Sequence, residues 1–129
     1  MKSVFVDTNV FLRFILGDVA TQTERARKIF NEAIMSHVKL HTSTIVIFEI
    51  YWVLKSSYDF FGNDLKQKLI QVLQLTVEFE NHELLVEAIN QMDKYNFDLE
   101  DSYNFIYAKT LGVNEFETFD QKLLRKFNK

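Results

Sequence analysis

Short apolar runs of β character alternate with stretches of helical periodicity along this chain, and that alternation constrains its fold more than any other feature. Ser3–Val6, Val38–His41, Val77–Phe79 and Glu115–Thr118 read as strands. Between and after them, helices are expected over Asn9–Leu16, Thr21–Met35, Thr44–Ser57, from Asn63 to Leu73, over His82–Tyr95, from Asp98 to Leu111 and over Gln121–Phe127. Thr21–Met35 shows the pattern well: Ala26, Ile29, Phe30, Ala33 and Ile34 share one face, with Glu24, Arg25, Lys28 and Glu32 off it. Gly17 and Gly112 are natural helix stops, and Asn63, Asn81 and Asp98 natural N-caps. Strands joined through helices need crossover connections, which are right-handed and leave the strands parallel. The expected class is therefore α/β, a three-layer α/β/α sandwich with a mostly parallel sheet and helices on both faces.

The 129 residues suit one domain, 1–129. With no Pro and three Gly, turns must be short or built from Asn, Asp and Ser. There is no repeat or low-complexity stretch. The absence of Cys removes disulfides, thiolate nucleophiles and zinc–cysteine sites. No apolar run approaches the ~18 residues of a membrane span, and one Lys followed by a strand is no signal peptide, so a cytoplasmic location is expected. A net charge of −3 argues against a nonspecific DNA coat while allowing a local basic surface.

Four acids stand out from this frame. Sites in open parallel sheets form beyond the carboxyl ends of the strands. Asp7 follows the first strand directly, and Asp120 follows the fourth by two residues. Asp7 reads equally well as a plain cap of the first helix. Glu49 interrupts the apolar run from Ile45 to Leu54, so it is expected to be buried and therefore paired, protonated or metal-bound. An ion pair with Arg13 or Lys109 is the plainer account of it. Asp101 falls in the first turn of its helix, one turn before Phe105, where the helix dipole also favours an acid. Glu100 is the reserve candidate. Carboxylates gathered in one place repel unless cations neutralise them, and oxygen-only ligands suit Mg²⁺ or Mn²⁺.

The blocks VDTNVFLRFILGD, STIVIFEIYWVL, LEDSYNFIYAKTLGV and ETFDQKL resemble, in order, the four acidic blocks of the PIN-domain nucleases. The nearest likeness is to the VapC-type toxins of toxin–antitoxin pairs. The resemblance implies that Asp7, Glu49, Asp101 and Asp120 are metal-binding catalytic acids, with Asn9 and Thr118 as polar support. It further implies RNA cleavage with Mg²⁺ or Mn²⁺, a four- to five-stranded sheet, a homodimer and a cognate VapB-like antitoxin. Many relatives continue into a fifth strand, which is expected to be short or missing after Phe127-Asn128-Lys129.

Other chemistries lack their parts. His37, His41 and His82 are scattered, and neither a serine-hydrolase elbow nor a phosphate-binding P-loop is present. Asn9, two residues after Asp7, replaces the second Asp that a haloacid-dehalogenase-like phosphatase needs. Candidate phosphate contacts are Arg13 and Lys109, then Lys122, Arg125 and Lys126, for a single-stranded or looped RNA. Tyr58, Phe60 and Phe61 fall in an expected loop and suggest an exposed partner surface. A noncatalytic PIN-like module binding RNA or protein, and a housekeeping nuclease without an antitoxin, are the alternative functions.

Overall fold

A computed structural model describes residues 1–128. The elements are β1 (Lys2–Phe5), α1 (Thr8–Leu16), α2 (Ala20–Ile34), β2 (Val38–Thr42), α3 (Thr44–Ser57), α4 (Gly62–Leu73), β3 (Glu78–Phe79), α5 (His82–Tyr95), α6 (Leu99–Leu111) and α7 (Gln121–Phe127). The class is α/β with a parallel sheet, as the alternation requires. Internal contacts gather into two units, Met1–His82 and a second beginning at Glu83.

The first unit holds the sheet. Among the described residues it has three strands in the order β1-β2-β3, every pairing parallel, rather than four or five. Lys2 pairs with Val38 and Phe5 with His41, and the register continues as His41 with Glu78. α1 packs against α2, α3 and α4. The interior is filled by Phe11, Leu12, Leu40, Ile50, Leu54 and Leu69, all essentially inaccessible. Phe11 and Phe30 meet with ring centroids 5.5 Å apart. Gly17 ends α1 at φ +62°, and its N–H returns to the Arg13 carbonyl. Gly62 and Gly112 are left-handed as well, and the non-glycine residues Ser36, Asp59, Asn81 and Asn96 join them (φ +56° to +61°), as expected of a chain with so few glycines.

Two local expectations need correction here. Asn63 does not cap α4; Phe61 holds that position without a side-chain hydrogen bond, and Asn63 lies inside the first turn. Asn81 precedes α5 at φ +57°, outside the extended region that an N-cap normally takes.

The second unit is helical. Phe97, Phe105, Ile106, Leu123 and Phe127 form its buried cluster, flanked by Leu84, Tyr95, Ala108 and Phe116. The Ser102 hydroxyl donates to the Ala88 carbonyl and ties α6 to α5. Glu115–Thr118 is not a strand. Its residues serve the helices instead: Phe116 packs 5.2 Å from the Phe127 ring, and Thr118 Oγ1 accepts the Asp120 N–H at 3.0 Å. No helix among the described residues is long and apolar enough to cross a membrane.

Candidate active site

In the first unit, Asp7 is the N-cap of α1. Its φ of −90° and ψ of 170° are extended, and Oδ1 accepts the Thr8 N–H at 2.8 Å. The capping reading is thus correct, and it leaves the side chain exposed, with Oδ2 in no hydrogen bond among the described residues. Glu49 is exposed rather than buried. α3 is apolar on every side, yet besides Thr44 at its start it buries only the stripe of Val46, Ile47, Ile50, Tyr51 and Leu54. Glu49 lies on the opposite stripe with Ile45 and Trp52, which are 69% and 46% exposed. Burial therefore does not oblige Glu49 to find a partner, and no ion pair joins it to Arg13 or Lys109 among the described residues.

Arg13 is already engaged. Its Nη1 lies 3.0 Å from Asp18 Oδ2, Nη2 donates to the Tyr58 hydroxyl at 3.1 Å, and that hydroxyl donates to Asp18 at 3.2 Å. This closed triad explains Tyr58, which was expected to be exposed; of the Tyr58, Phe60 and Phe61 group only Phe61 stands out, at 77% exposure. Arg13 and the exposed Asn9 also line a cavity of about 330 Å³ with Gln22 and Arg25.

The second unit brings Asp101 and Asp120 together. Asp98 caps α6 by accepting the Asp101 N–H at 2.9 Å. Asp120 caps α7 by accepting the Lys122 and Leu123 N–H groups at 2.9 and 3.3 Å. Half-buried Asp101 has its carboxyl raised above the ordinary Asp range, by burial first, then by the Asp98 charge and hydrogen bond, then by the Asp120 charge; Lys122 opposes the shift. Asp98 is the participant that sequence reasoning passed over as a mere cap. Its spacing of three residues from Asp101 was the available signal.

Lysines crown the aromatic cluster of the same unit. Lys109 Nζ stands 5.1 Å from the Phe105 ring and 4.9 Å from that of Phe127. Lys122 lies over Phe97, and Lys94 and Lys126 over Tyr95, at 5.1 to 5.3 Å.

The acids supply the oxygen donors that hard divalent cations take. Their grouping does not match that chemistry: no three His, Asp or Glu side chains among the described residues are arranged to hold a metal ion. In the second unit the caps also occupy one oxygen each of Asp98 and Asp120.

The comparison with known families decides the class: the PIN domain matches residues 4–128, across both units, and the chain belongs to that family. PIN domains are generally nucleases that use divalent metals. No curated protein and no solved structure matches the chain.

Proposed function

We propose that this protein is a Mg²⁺- or Mn²⁺-dependent endoribonuclease that hydrolyses phosphodiester bonds in RNA, and that it is the toxin of a type II toxin–antitoxin pair. The observation that carries the reading is the crowding at the start of α6. Asp101 stays half-buried beside Asp98 and Asp120 although both raise its proton affinity. Asp98 and Asp120 serve the fold as helix caps, but the half-buried Asp101 carboxylate beside them is a cost, because like charges at close range repel. Asp7 and Glu49, both exposed in the first unit, are the other two acids of the catalytic reading. The chemistry a divalent ion would supply is an activated water and a stabilised leaving oxygen. Thr118 fixes the backbone of Asp120 through its hydroxyl. Lys109 supplies the phosphate contact, while Arg13, engaged by Asp18, holds the turn after α1. The exposed apolar side chains Ile45, Trp52 and Phe61 support a surface covered by a protein, taken here to be the antitoxin or a second copy of the chain.

The test is incubation of purified protein with total RNA and Mg²⁺, Mn²⁺ or chelator, followed by mapping of cut ends. Discrete cuts that need the ion and vanish in Asp7→Asn support the reading. Cutting at the wild-type rate by Asp7→Asn ends it. That no three acids among the described residues are arranged to hold a metal favours one other reading, a noncatalytic binding module, for which RNA would stay intact with both ions. Light scattering that gives a clean monomer at micromolar concentration would exclude the homodimer. A small antitoxin gene adjacent to this one separates a toxin from a housekeeping nuclease.

A further inference from the structure

The phenylalanines of the second unit divide sharply. Phe97, Phe105, Phe116 and Phe127 pack into one cluster. Phe119 stands wholly in solvent, at 104% exposure, the most exposed large apolar side chain among the described residues. Its backbone is nonetheless held on both sides. Phe116 is anchored on the Phe127 ring, the Asp120 N–H donates to Thr118 Oγ1 at 3.0 Å, and Asp120 caps α7. An ordered segment thus presents a ring that forgoes the stabilisation of burial. The place where it does so is the second observation. Phe119 directly precedes Asp120, whose charge acts on Asp101 at the start of α6. A polymer lying against those acids therefore runs beside the ring. Tyr107, Leu111 and Val113, the unit's other exposed large apolar residues, lie further along α6 or beyond it, roughly 9 Å or more along the axis from Asp101. The chain neighbours Glu117, Thr118 and Asp120 are polar or charged. The ring alone offers at most ~250 Å² of apolar surface, against the ~1,000 Å² that a protein interface needs. One open aromatic face is what an unpaired base takes.

We infer that Phe119 is a stacking platform for an unpaired base of the RNA strand, the base next to the phosphodiester held at Asp120. The strand's bases are free to leave one another because no second strand pairs them. Stacking tolerates any base, since each has a π-face, so Phe119 positions the strand without reading its sequence. The base is uncharged and meets the ring without the repulsion that Glu117 and Asp120 exert on phosphates. That repulsion weakens binding as a whole when no cation is present, so the stacking contribution is read from differences between variants. The inference deepens the ribonuclease reading and rests on it for the identity of the polymer.

The experiment is fluorescence anisotropy of a labelled single-stranded oligoribonucleotide in chelator, where metal-dependent cutting is stopped, beside an abasic oligomer of the same length. Melting curves establish that each variant is folded, as expected for changes to a side chain without packing. Phe119→Ala should weaken the ordinary oligomer at least ~5-fold, the low end of the worth of one stacked base, and leave the abasic one unchanged. Phe119→Leu keeps an apolar side chain but no π-face, and should lose as much as Phe119→Ala. Phe119→Trp should bind at least as tightly as wild type. Full binding by Phe119→Leu would mark an apolar contact of the kind a protein makes and overturns stacking. Equal loss of both oligomers in Phe119→Ala, or wild-type protein that binds neither, overturns it too. Wild-type protein that cuts RNA while Phe119→Ala binds as wild type does would refute the platform alone. Wild-type protein that cuts nothing with either ion, while the three variants keep the expected order, would refute catalysis alone.

Discussion

Arg13 and Lys109 are cations on helices of different units, and both line an opening in the surface. Arg13 faces Asp18 at 3.0 Å and the Tyr58 hydroxyl, so its charge is met within the fold. Lys109 stands over Phe105 and Phe127, with no carboxylate in ion-pair range among the described residues. A guanidinium satisfied by a carboxylate must release it before gripping a phosphate. An ammonium held by rings is positioned and still carries its full charge. Proximity to an opening therefore does not make two cations equivalent; what each already touches decides which one can bind an anion.

The largest effects are expected at the acids rather than the cations. Asp7→Asn and Asp101→Asn should each lower RNA cleavage by ~10²–10⁴-fold, the range that a positioned catalytic carboxylate supplies. Cleavage rates with saturating Mn²⁺ would measure this, and a loss under threefold in both would remove these residues from the mechanism.

A pair of ring deletions compares the two units next. Phe11 and Phe105 are both buried, at 0% and 4% exposure, so Phe11→Ala and Phe105→Ala should each cost roughly 3–5 kcal/mol in urea melts. Only Phe105 carries a lysine. At temperatures where both variants remain folded, RNA binding should weaken in Phe105→Ala and hold in Phe11→Ala. Equal losses would mean that the rings serve packing alone.

What the sequence made legible was mostly local. The bounds of α3 and α5 are as read, because periodicity and flanking residues lie within a few positions of each end. Asp98 and Gly112 bracket α6 for the same reason. Glu49 was misread because a helix apolar on all sides looks buried on all sides, and only tertiary structure decides that the stripe of Ile45 and Trp52 is left open. Glu115–Thr118 alternates like a strand, but a strand needs a neighbour, and pairing is not a local property. Arg13 with Asp18 was within reach of reading, since a left-handed Gly17 turns the chain back toward the last helical turn. The approach of Asp120 to Asp101 spans nineteen positions and left no local trace beyond the acids themselves.

Arg13→Ala tests the opening comparison directly. If its charge belongs to Asp18, stability should fall by about 1 kcal/mol, as for a partly buried ion pair with one further hydrogen bond, and the salt slope of RNA binding should not change. Lys109→Ala should flatten that slope by about 0.7. A slope change in Arg13→Ala equal to that of Lys109→Ala would return Arg13 to the phosphate.

The smallest effects are two titrations of opposite sign, one in each unit. Glu80 accepts the Thr44 N–H at 2.9 Å at the start of α3, and the Thr44 backbone and side-chain hydrogen bonds hold its carboxyl below the ordinary Glu range. A lowered folded-state value means that its contribution is present at neutral pH and is lost as pH falls through that value. Asp101 is raised, chiefly by burial, so its ionised form opposes folding: the penalty grows as pH climbs from the ordinary Asp range through the raised value and is complete above it. In chelator at neutral pH, Glu80→Gln should therefore lower Tm slightly and Asp101→Asn should raise it. Both differences should shrink toward zero in acid, that of Asp101→Asn at the ordinary Asp range and that of Glu80→Gln at a pH below the ordinary Glu range. Melting curves across that range measure both. A fall in Tm for Asp101→Asn at neutral pH would show that the carboxylate helps the fold, and the crowding at α6 would then need no ligand to explain it.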